Sequence, residues 1–218
     1  MKKRLIIAIL LLVLLSTYKP QNFILSNGFN IEEIKIENNF ILNETDIKKE
    51  LNFLYQKNLI FLRNSEIANI LKQIDFIKSF EIKKIYPKKI IIKIYEKKPI
   101  AILQYKKDKF YVSESINLIN FIVLENYKNL PIVFGKKKNF KELYINLKKI
   151  DFPLDLIKKY YFYESNRWDL EIYQKKIIKL PTKNYIQSLE KFINFKMENN
   201  LDKYKVFDYR INNQLILK

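Results

Sequence analysis

The chain of 218 residues contains no cysteine and no histidine, and its only glycines are Gly28 and Gly135. Without Cys and His, the chain lacks thiolate nucleophiles, disulfides, the common zinc ligands and the usual general base. Two isolated glycines cannot form a P-loop or a dinucleotide-binding glycine loop. Carboxylate pairs such as Glu32 and Glu33 stand in no motif that separates them from solvated surface residues. The sequence therefore offers no catalytic, cofactor-binding or metal-binding residue, and we predict that the protein is not an enzyme.

The charge is strongly unbalanced, with 41 Lys and Arg against 23 Asp and Glu and a formal net charge of +18. Clustered basic residues would indicate a phosphate-binding face for nucleic acid. Here the lysines are dispersed over the whole chain among many Ile and Asn, and AT-rich codons favour all three residue types. A solvated surface with biased composition is the preferred interpretation, and a phosphate-binding face is the alternative. We predict no nucleic-acid partner.

The first 18 residues have the pattern of an export signal. Basic residues at positions 2–4 precede an unbroken apolar run at residues 5–15, as in a charged n-region followed by a hydrophobic segment. A helix from Leu5 to Tyr18 would span only about 20 Å, which is less than the ~30 Å hydrocarbon thickness of a bilayer. Length by itself suggests a cleavable signal peptide.

The residues that follow the apolar run favour a retained anchor instead. The sequence STYKPQNF after Leu15 has no Ala-x-Ala-like pair of small residues at which a signal peptide would be cleaved. Flanking lysines can snorkel and the bilayer can thin locally, so a short anchor is physically acceptable. We predict a cytoplasmic tail at residues 1–4, a transmembrane signal anchor at 5–18 and a linker at 19–30. The basic N-terminus stays inside, and nearly all of the chain lies beyond the membrane.

After the linker, the pattern predicts a strand and two helices. The strand ends at Glu37, and Asn38 follows it at a turn where Asn tolerates a left-handed backbone. Asn43 is a suitable N-cap for a first helix that ends near Gln56, and a second helix begins near Asn64. Their inward faces consist of apolar residues three and four positions apart, which are Ile47, Leu51, Leu54, Ile67, Ile70, Leu71 and Ile74.

A β-hairpin follows the helices. Pro87 lacks an N–H and presets a turn, so the chain should reverse between strands at residues 80–86 and 89–96. Ile90, Ile92 and Ile94 alternate with partly polar residues, which is the period of a half-buried strand. Residues 31–98 thus read as one domain with the order strand, helix, helix, strand, strand.

Residues 99–218 predict a second domain that is mostly antiparallel β with flanking helices. Short aromatic-rich strands are expected at residues 100–105, 110–112 and 131–134, and the whole chain falls in the α+β class. A helix after the third strand carries apolar residues on one side, namely Phe140, Leu143, Leu147 and Ile150. A hairpin between Asn166 and Pro181 contains Trp168 as a core residue, and a last helix covers about residues 184–196.

Several of these segments carry a resemblance. The stretch IYPKKIIIKIYEKKPIA at residues 85–101 joins an aromatic-Pro turn, an alternating strand and Pro-Ile-Ala. It resembles the bacterial cell-division family FtsQ/DivIB, in which it closes a POTRA domain. Five more segments resemble the same family and occur in the family's order along the chain. They are KNLIFL (57–62), FIKSFEIKKIYP (76–87), LPIVFG (130–135), NRWDLEIYQKKIIKLP (166–181) and VFDYR (206–210).

Two turns depart from the family pattern. VSESIN at residues 112–117 replaces Val-Asp-x-x-Gly, and Gln174, Lys175 and Lys176 replace the Asn-Gly turn of the Trp168 hairpin. We expect a longer or less regular loop at the second position.

The resemblance implies a non-enzymatic, bitopic scaffold of the divisome in the bacterial inner membrane, with the bulk of the chain in the periplasm. Its POTRA domain (31–98) would engage other division proteins. Its β domain (99–218) would recruit FtsB and FtsL and so connect to septal peptidoglycan synthesis. The alternative is a POTRA-containing secretion or outer-membrane assembly factor that binds extended polypeptides. Such factors usually carry repeated POTRA units or a membrane barrel, and this sequence has one unit and no long barrel-like series.

The C-terminus is the predicted partner-binding region. Asn212 and Asn213 should make a turn before a last strand at residues 214–218, whose free edge could accept a partner strand. In the family, the last strand and the preceding helix receive FtsB. The predicted binding residues are Tyr209, Leu215, Ile216 and Leu217. An ordinary edge strand protected by Lys218 is the alternative.

Asp208 and Arg210 lie nearby on one strand face. They form either a structural ion pair, which we favour, or part of a site.

Overall fold

The chain divides into two compact units, Met1–Tyr95 and Glu96–Lys218. The structure is a computed structural model and describes residues 2–17, 28–211 and 214–218. Helix α1 (Lys2–Thr17) begins the first unit, and the apolar side chains of residues 5–15 are exposed. Tyr18 and most of the predicted linker lie outside the described residues. In the described part of the chain, no helix has both the length and the apolar character needed to cross a membrane.

The rest of the first unit has the predicted order of elements. These are β1 (Glu33–Glu37), α2 (Glu44–Glu50), a 3-10 segment (Asn52–Gln56), α3 (Asn64–Leu71), β2 (Ile77–Ile85) and β3 (Lys89–Glu96). The sheet order is β1-β3-β2, and β1 runs parallel to β3. The β2–β3 turn contains a cis Tyr86–Pro87 bond.

Local sequence signals explain most of this unit. Ile90, Ile92 and Ile94 on β3 are fully buried, as their alternation predicts. Asn38 has a φ of 65°, and its side-chain amide donates to the Ile94 carbonyl oxygen over 2.7 Å. The Asn43 side chain accepts a hydrogen bond from the Thr45 N–H at 3.1 Å, which caps α2.

The predicted extent of the first helix was wrong. The α-helix ends at Glu50, and tighter 3-10 turns continue to Gln56. The Leu54 N–H donates to the Leu51 carbonyl oxygen at 2.9 Å, the i+3 spacing of a 3-10 turn. Both leucines are buried, so the tighter turn keeps the predicted core contacts although the α-helical bonds stop.

Over residues 96–211 and 214–218, the second unit contains nine strands and two α-helices. They are β4 (Pro99–Tyr105), β5 (Asp108–Ser113), β6 (Leu118–Asn120), β7 (Ile132–Phe134), α4 (Lys137–Lys149), β8 (Ile157–Tyr163), β9 (Arg167–Ile172), β10 (Ile177–Lys179), α5 (Tyr185–Glu198), β11 (Val206–Asp208) and β12 (Ile216–Leu217). They form one sheet with the order β12-β11-β10-β9-β8-β7-β4-β5-β6. Five neighbouring pairs are antiparallel and three are parallel.

Both helices are crossover connections on the same face of this sheet. Helix α4 joins the parallel strands β7 and β8, and α5 joins the parallel strands β10 and β11. The two helices touch where the Asn146 amide donates to the Tyr185 hydroxyl over 2.7 Å. Beneath them lies one lateral row of buried side chains, namely Leu103, Val133, Tyr160, Leu170, Ile178 and Phe207.

The two turns that depart from the family pattern keep their sharp bends by other means. Ile116 has a φ of 58° and a buried side chain, so core packing offsets the strain of a β-branched residue in the left-handed region. The Ser113 hydroxyl accepts from the Asn117 N–H at 3.0 Å. In the Trp168 hairpin, Gln174 and Lys175 both have positive φ. The expected irregular loop is confirmed.

Gly135 is required by close packing. A Cβ added there would lie 2.9 Å from the Phe162 Cβ and 3.5 Å from the Trp168 ring. We expect Gly135→Ala to lower the free energy of unfolding by about 1–3 kcal/mol, because the neighbouring strand must move. Trp168 is the only tryptophan and is buried, as predicted, so its fluorescence during urea unfolding measures the effect. Met197→Ala, which truncates an exposed side chain in the same unit, is the control; equal stability of both variants would contradict the packing argument.

Candidate partner-binding site

Strand β12 is one edge of the large sheet. It pairs antiparallel with β11, and among the described residues no strand pairs with its outer side. The Lys218 N–H donates to the Val206 carbonyl oxygen at 3.1 Å, and the Val206 N–H donates to the Lys218 carbonyl oxygen at 3.0 Å. The last strand is therefore held on its inner side by main-chain bonds.

The register determines which backbone groups of this strand point outward. In an antiparallel ladder, successive residues alternate between bonding the partner strand and pointing away from it. Because Lys218 bonds inward, Ile216 opposite Asp208 also bonds inward, whereas Leu217 opposite Phe207 does not. The N–H and C=O of Leu217 thus face the open edge, and those of Leu215 follow the same alternation.

The predicted binding residues divide between the two faces of the sheet. Leu215 and Leu217 are partly buried and pack against the core beneath the helices. Ile216 points to the opposite face and is 36% exposed. Tyr209 is only 4% exposed, so it forms part of a wall rather than an exposed contact. The predicted turn at Asn212 and Asn213 lies outside the described residues.

A groove of about 480 Å³ lies between α5 and the C-terminal segment. Tyr209 and Leu215 line it on one side. The other side includes polar residues of α5 that the sequence analysis did not single out, namely Gln187, Lys191, Asn194 and Glu198. Their spacing of four, three and four positions is that of one helix face. This polar stripe is the sequence pattern from which that side of the groove could have been predicted.

The Tyr209 hydroxyl is unusual among the groups in this groove. It is buried and has no hydrogen-bond partner among the described residues. Burial raises the pKa of Tyr209 to about 12, so the hydroxyl stays protonated at neutral pH. An unsatisfied buried hydroxyl carries a desolvation cost.

On the opposite face, Lys179 of β10 lies between Asp169 of β9 and Asp208 of β11 in the register. Arg210 forms a bidentate ion pair with Asp208, with contacts of 2.6 and 2.8 Å. The preferred structural ion pair is confirmed. Arg167 Nε lies 3.2 Å from Asp169 Oδ1, yet neither atom makes a hydrogen bond within the described residues.

The pKa values of the two carboxyl groups, Asp208 and Asp169, are shifted in opposite directions. The hydrogen bond from Arg210 lowers the pKa of Asp208, whereas burial raises the pKa of Asp169 despite the neighbouring Arg167. Within the described ranges, no three acidic side chains are grouped so that they could hold a metal ion. These carboxylates are arranged for ion pairing with the neighbouring arginines.

This difference gives a test by pH. Asp208 should stabilise the fold relative to Asp208→Asn above about pH 4, and the advantage should shrink as the pH falls through its lowered pKa. The protein with Asp169 should lose stability relative to the Asp169→Asn variant as the pH rises above about 4, through the raised pKa of Asp169. Urea unfolding across acid and neutral pH measures both differences. Parallel pH profiles for the two variants would contradict the assigned environments.

Comparisons with known proteins bear on both units. Residues 29–97 match the family described as "POTRA domain, FtsQ-type". The cell division protein FtsQ of Rickettsia typhi is 30% identical over 196 residues, which cover 88% of this chain and 73% of that protein. The FtsQ of Agrobacterium fabrum is 23% identical over 75% of this chain and 52% of its own length. The extracytoplasmic domain of DivIB from Geobacillus stearothermophilus aligns with 49% of this chain and 98% of its own at 12% identity, with a TM-score of 0.33.

Proposed function

This chain belongs to the FtsQ/DivIB family of bacterial cell-division proteins, and we therefore propose that it is a non-enzymatic scaffold of the divisome. In this proposal, α1 anchors the chain in the inner membrane with its N-terminus in the cytoplasm. The rest of the first unit and the whole C-terminal unit lie in the periplasm, where the C-terminal unit recruits FtsB and FtsL and connects them to septal peptidoglycan synthesis.

The open edge of β12 is the observation that carries the partner proposal. An incoming strand of FtsB can pair with the outward N–H and C=O of Leu217, which is the usual mode of strand addition. The adjoining groove offers the partner a second contact, with Tyr209 and Leu215 on one side and polar residues of α5 on the other. Main-chain bonds would supply affinity, and the groove would set the register of the added strand.

The exposed apolar surface of α1 supports the anchor. Each large apolar residue from Leu5 to Leu15 is more than half exposed. In water such a surface is costly at about 25 cal/mol per Å² of apolar area, and insertion into lipid removes that cost. The basic residues at positions 2–4 favour a cytoplasmic N-terminus.

Binding to FtsB is the direct test of the proposed function. The full chain in lipid nanodiscs is titrated with the periplasmic part of FtsB from the same organism, with and without the corresponding part of FtsL. Saturable binding that an unrelated extended apolar peptide does not compete supports the scaffold. Equal binding of the unrelated peptide would favour the assembly-factor alternative, and no binding with FtsB and FtsL together would overturn the proposal.

A further inference from the structure

One end of the first unit carries exposed apolar side chains that no part of the proposed function uses. They are Phe53, Ile60, Phe61 and Tyr86, with exposures from 37% to 71%, and we call them the proximal surface. Single exposed apolar residues are common, but a group of them usually marks an interaction site. This end of the unit therefore has the character of a contact surface.

Main-chain contacts bring these residues to one place in the fold. The Leu59 N–H donates to the Phe29 carbonyl oxygen at 2.8 Å, and the Ile31 N–H donates to the Lys57 carbonyl oxygen at 3.1 Å. The loop that bears Ile60 and Phe61 therefore lies against the first residues before β1. The turn that bears Tyr86 lies there too, because the Glu32 N–H donates to the Lys88 carbonyl oxygen at 2.9 Å.

The proximal surface is also basic. The Lys57 ammonium lies 5.1 Å from the centre of the Phe53 ring. The Lys84 ammonium donates to the Leu62 carbonyl oxygen and ties β2 to the loop. Five basic residues lie at this end, and only three carboxylates pair with them. The basic residues are Lys57, Arg63, Lys84, Lys88 and Lys89. The carboxylates are Glu32, Glu33 and Glu66.

The chain length limits how far this surface can lie from the end of α1. Only residues 18–27 separate α1 from Gly28, and ten residues span at most about 35 Å even when fully extended. Because β1 and β3 are parallel, the chain leaves the sheet of the first unit at the opposite end. The proximal surface is thus at the end where the chain enters this sheet from the side of α1, and not at the end where it leaves.

We infer that the proximal surface docks onto the bilayer, with Phe61 and Ile60 inserted at the level of the headgroups and the basic side chains on anionic phospholipids. Aromatic side chains beside lysine and arginine are the composition of membrane-interface contacts. Each basic residue near an anionic surface adds attraction that salt weakens. The inference rests on the proposed function, since α1 as the membrane anchor brings the first unit to the bilayer.

A single-cysteine label tests this docking, because the chain has no cysteine of its own. Phe61→Cys and Phe40→Cys are each labelled with the environment-sensitive fluorophore NBD in the full chain, reconstituted in phosphatidylglycerol-containing vesicles. Phe40 is 83% exposed and follows the far end of β1, so it is a matched phenylalanine at the opposite end. We expect a blue-shifted emission and quenching by bromine-labelled lipids at position 61, and at least about twofold less quenching at position 40.

Failure of the docking and failure of the anchor are distinguishable. Alkaline carbonate extraction of the same vesicles reports whether the chain is anchored at all. An anchored chain with equal quenching at both positions would overturn the docking and leave the anchor intact. A blue shift at position 61 that FtsB and FtsL produce in detergent, without vesicles, would assign the surface to a protein partner instead. Arg63→Glu in the labelled Phe61→Cys chain should reduce the quenching, which connects the signal to anionic lipid.

Discussion

Leu217→Pro is expected to weaken the binding of FtsB by about 10- to 100-fold while the C-terminal unit stays folded. The Leu217 N–H points to the open edge and makes no bond to β11. Proline removes this donor, and its ring obstructs an incoming backbone. Edge strands tolerate proline where the missing N–H faces outward, so stability should change little.

Ile216→Pro is the control because it changes the neighbouring residue of the same strand. The Ile216 N–H faces Asp208 in the register, and its loss should detach β12 from β11. This variant should lose stability as well as binding, whereas Leu217→Pro should lose binding alone. Leu217→Ala separates the contribution of side-chain packing.

Titration of each variant with FtsB, together with Trp168 fluorescence in urea, distinguishes these outcomes. Unchanged affinity in a folded Leu217→Pro protein would exclude strand addition at β12. By the same alternation, Leu215→Pro should act in the same direction as Leu217→Pro.

Phe207→Ala is expected to cost the C-terminal unit about 3–5 kcal/mol of unfolding free energy. Phe207 is fully buried on β11, directly opposite Leu217. Its ring lies 5.2 Å from Phe192 and 5.9 Å from Phe195, both on α5. Truncation removes this aromatic contact between helix and sheet and leaves a cavity behind the groove.

Urea unfolding followed by Trp168 fluorescence measures this loss in the unit that contains Phe207. Met197→Ala on the same helix is the control, since Met197 is exposed and its truncation should change stability by less than about 0.5 kcal/mol. If Phe207→Ala were as stable as Met197→Ala, this aromatic cluster would not be what holds α5 on the sheet.

Local patterns were sufficient for elements whose stability depends on near neighbours. The alternation of Ile90, Ile92 and Ile94 predicted the buried face of β3, and the Asn43 cap predicted the start of α2. The end of α2 was less predictable, because 3-10 turns that keep Leu54 in the core replace the α-helical bonds. Short-range sequence patterns do not predict whether α-helical hydrogen bonds or burial of Leu54 will determine where the helix ends.

Long-range pairing was the part that sequence could not supply. Short strands such as β10 and β11 could pair in either direction by pattern alone, and the crossover through α5 makes them parallel. The groove depends on the same crossover, because Gln187 and Lys191 face the C-terminal segment only once α5 lies on the sheet. Sequence alternation likewise put Asp208 and Arg210 on one face without indicating that Asp208 is buried beside Lys179.

The amino-acid sequence was enough to exclude thiol and imidazole chemistry and to reveal the two sets of elements and the family motifs from residue 57 to residue 210. The folded chain was needed to show that, among the described residues, β12 is an edge, the Leu217 N–H faces outward and the Tyr209 hydroxyl is buried without a partner. These features depend on the fold because the neighbouring strand and helix set hydrogen-bond direction and burial. Those neighbours are chosen by packing between residues far apart in the chain.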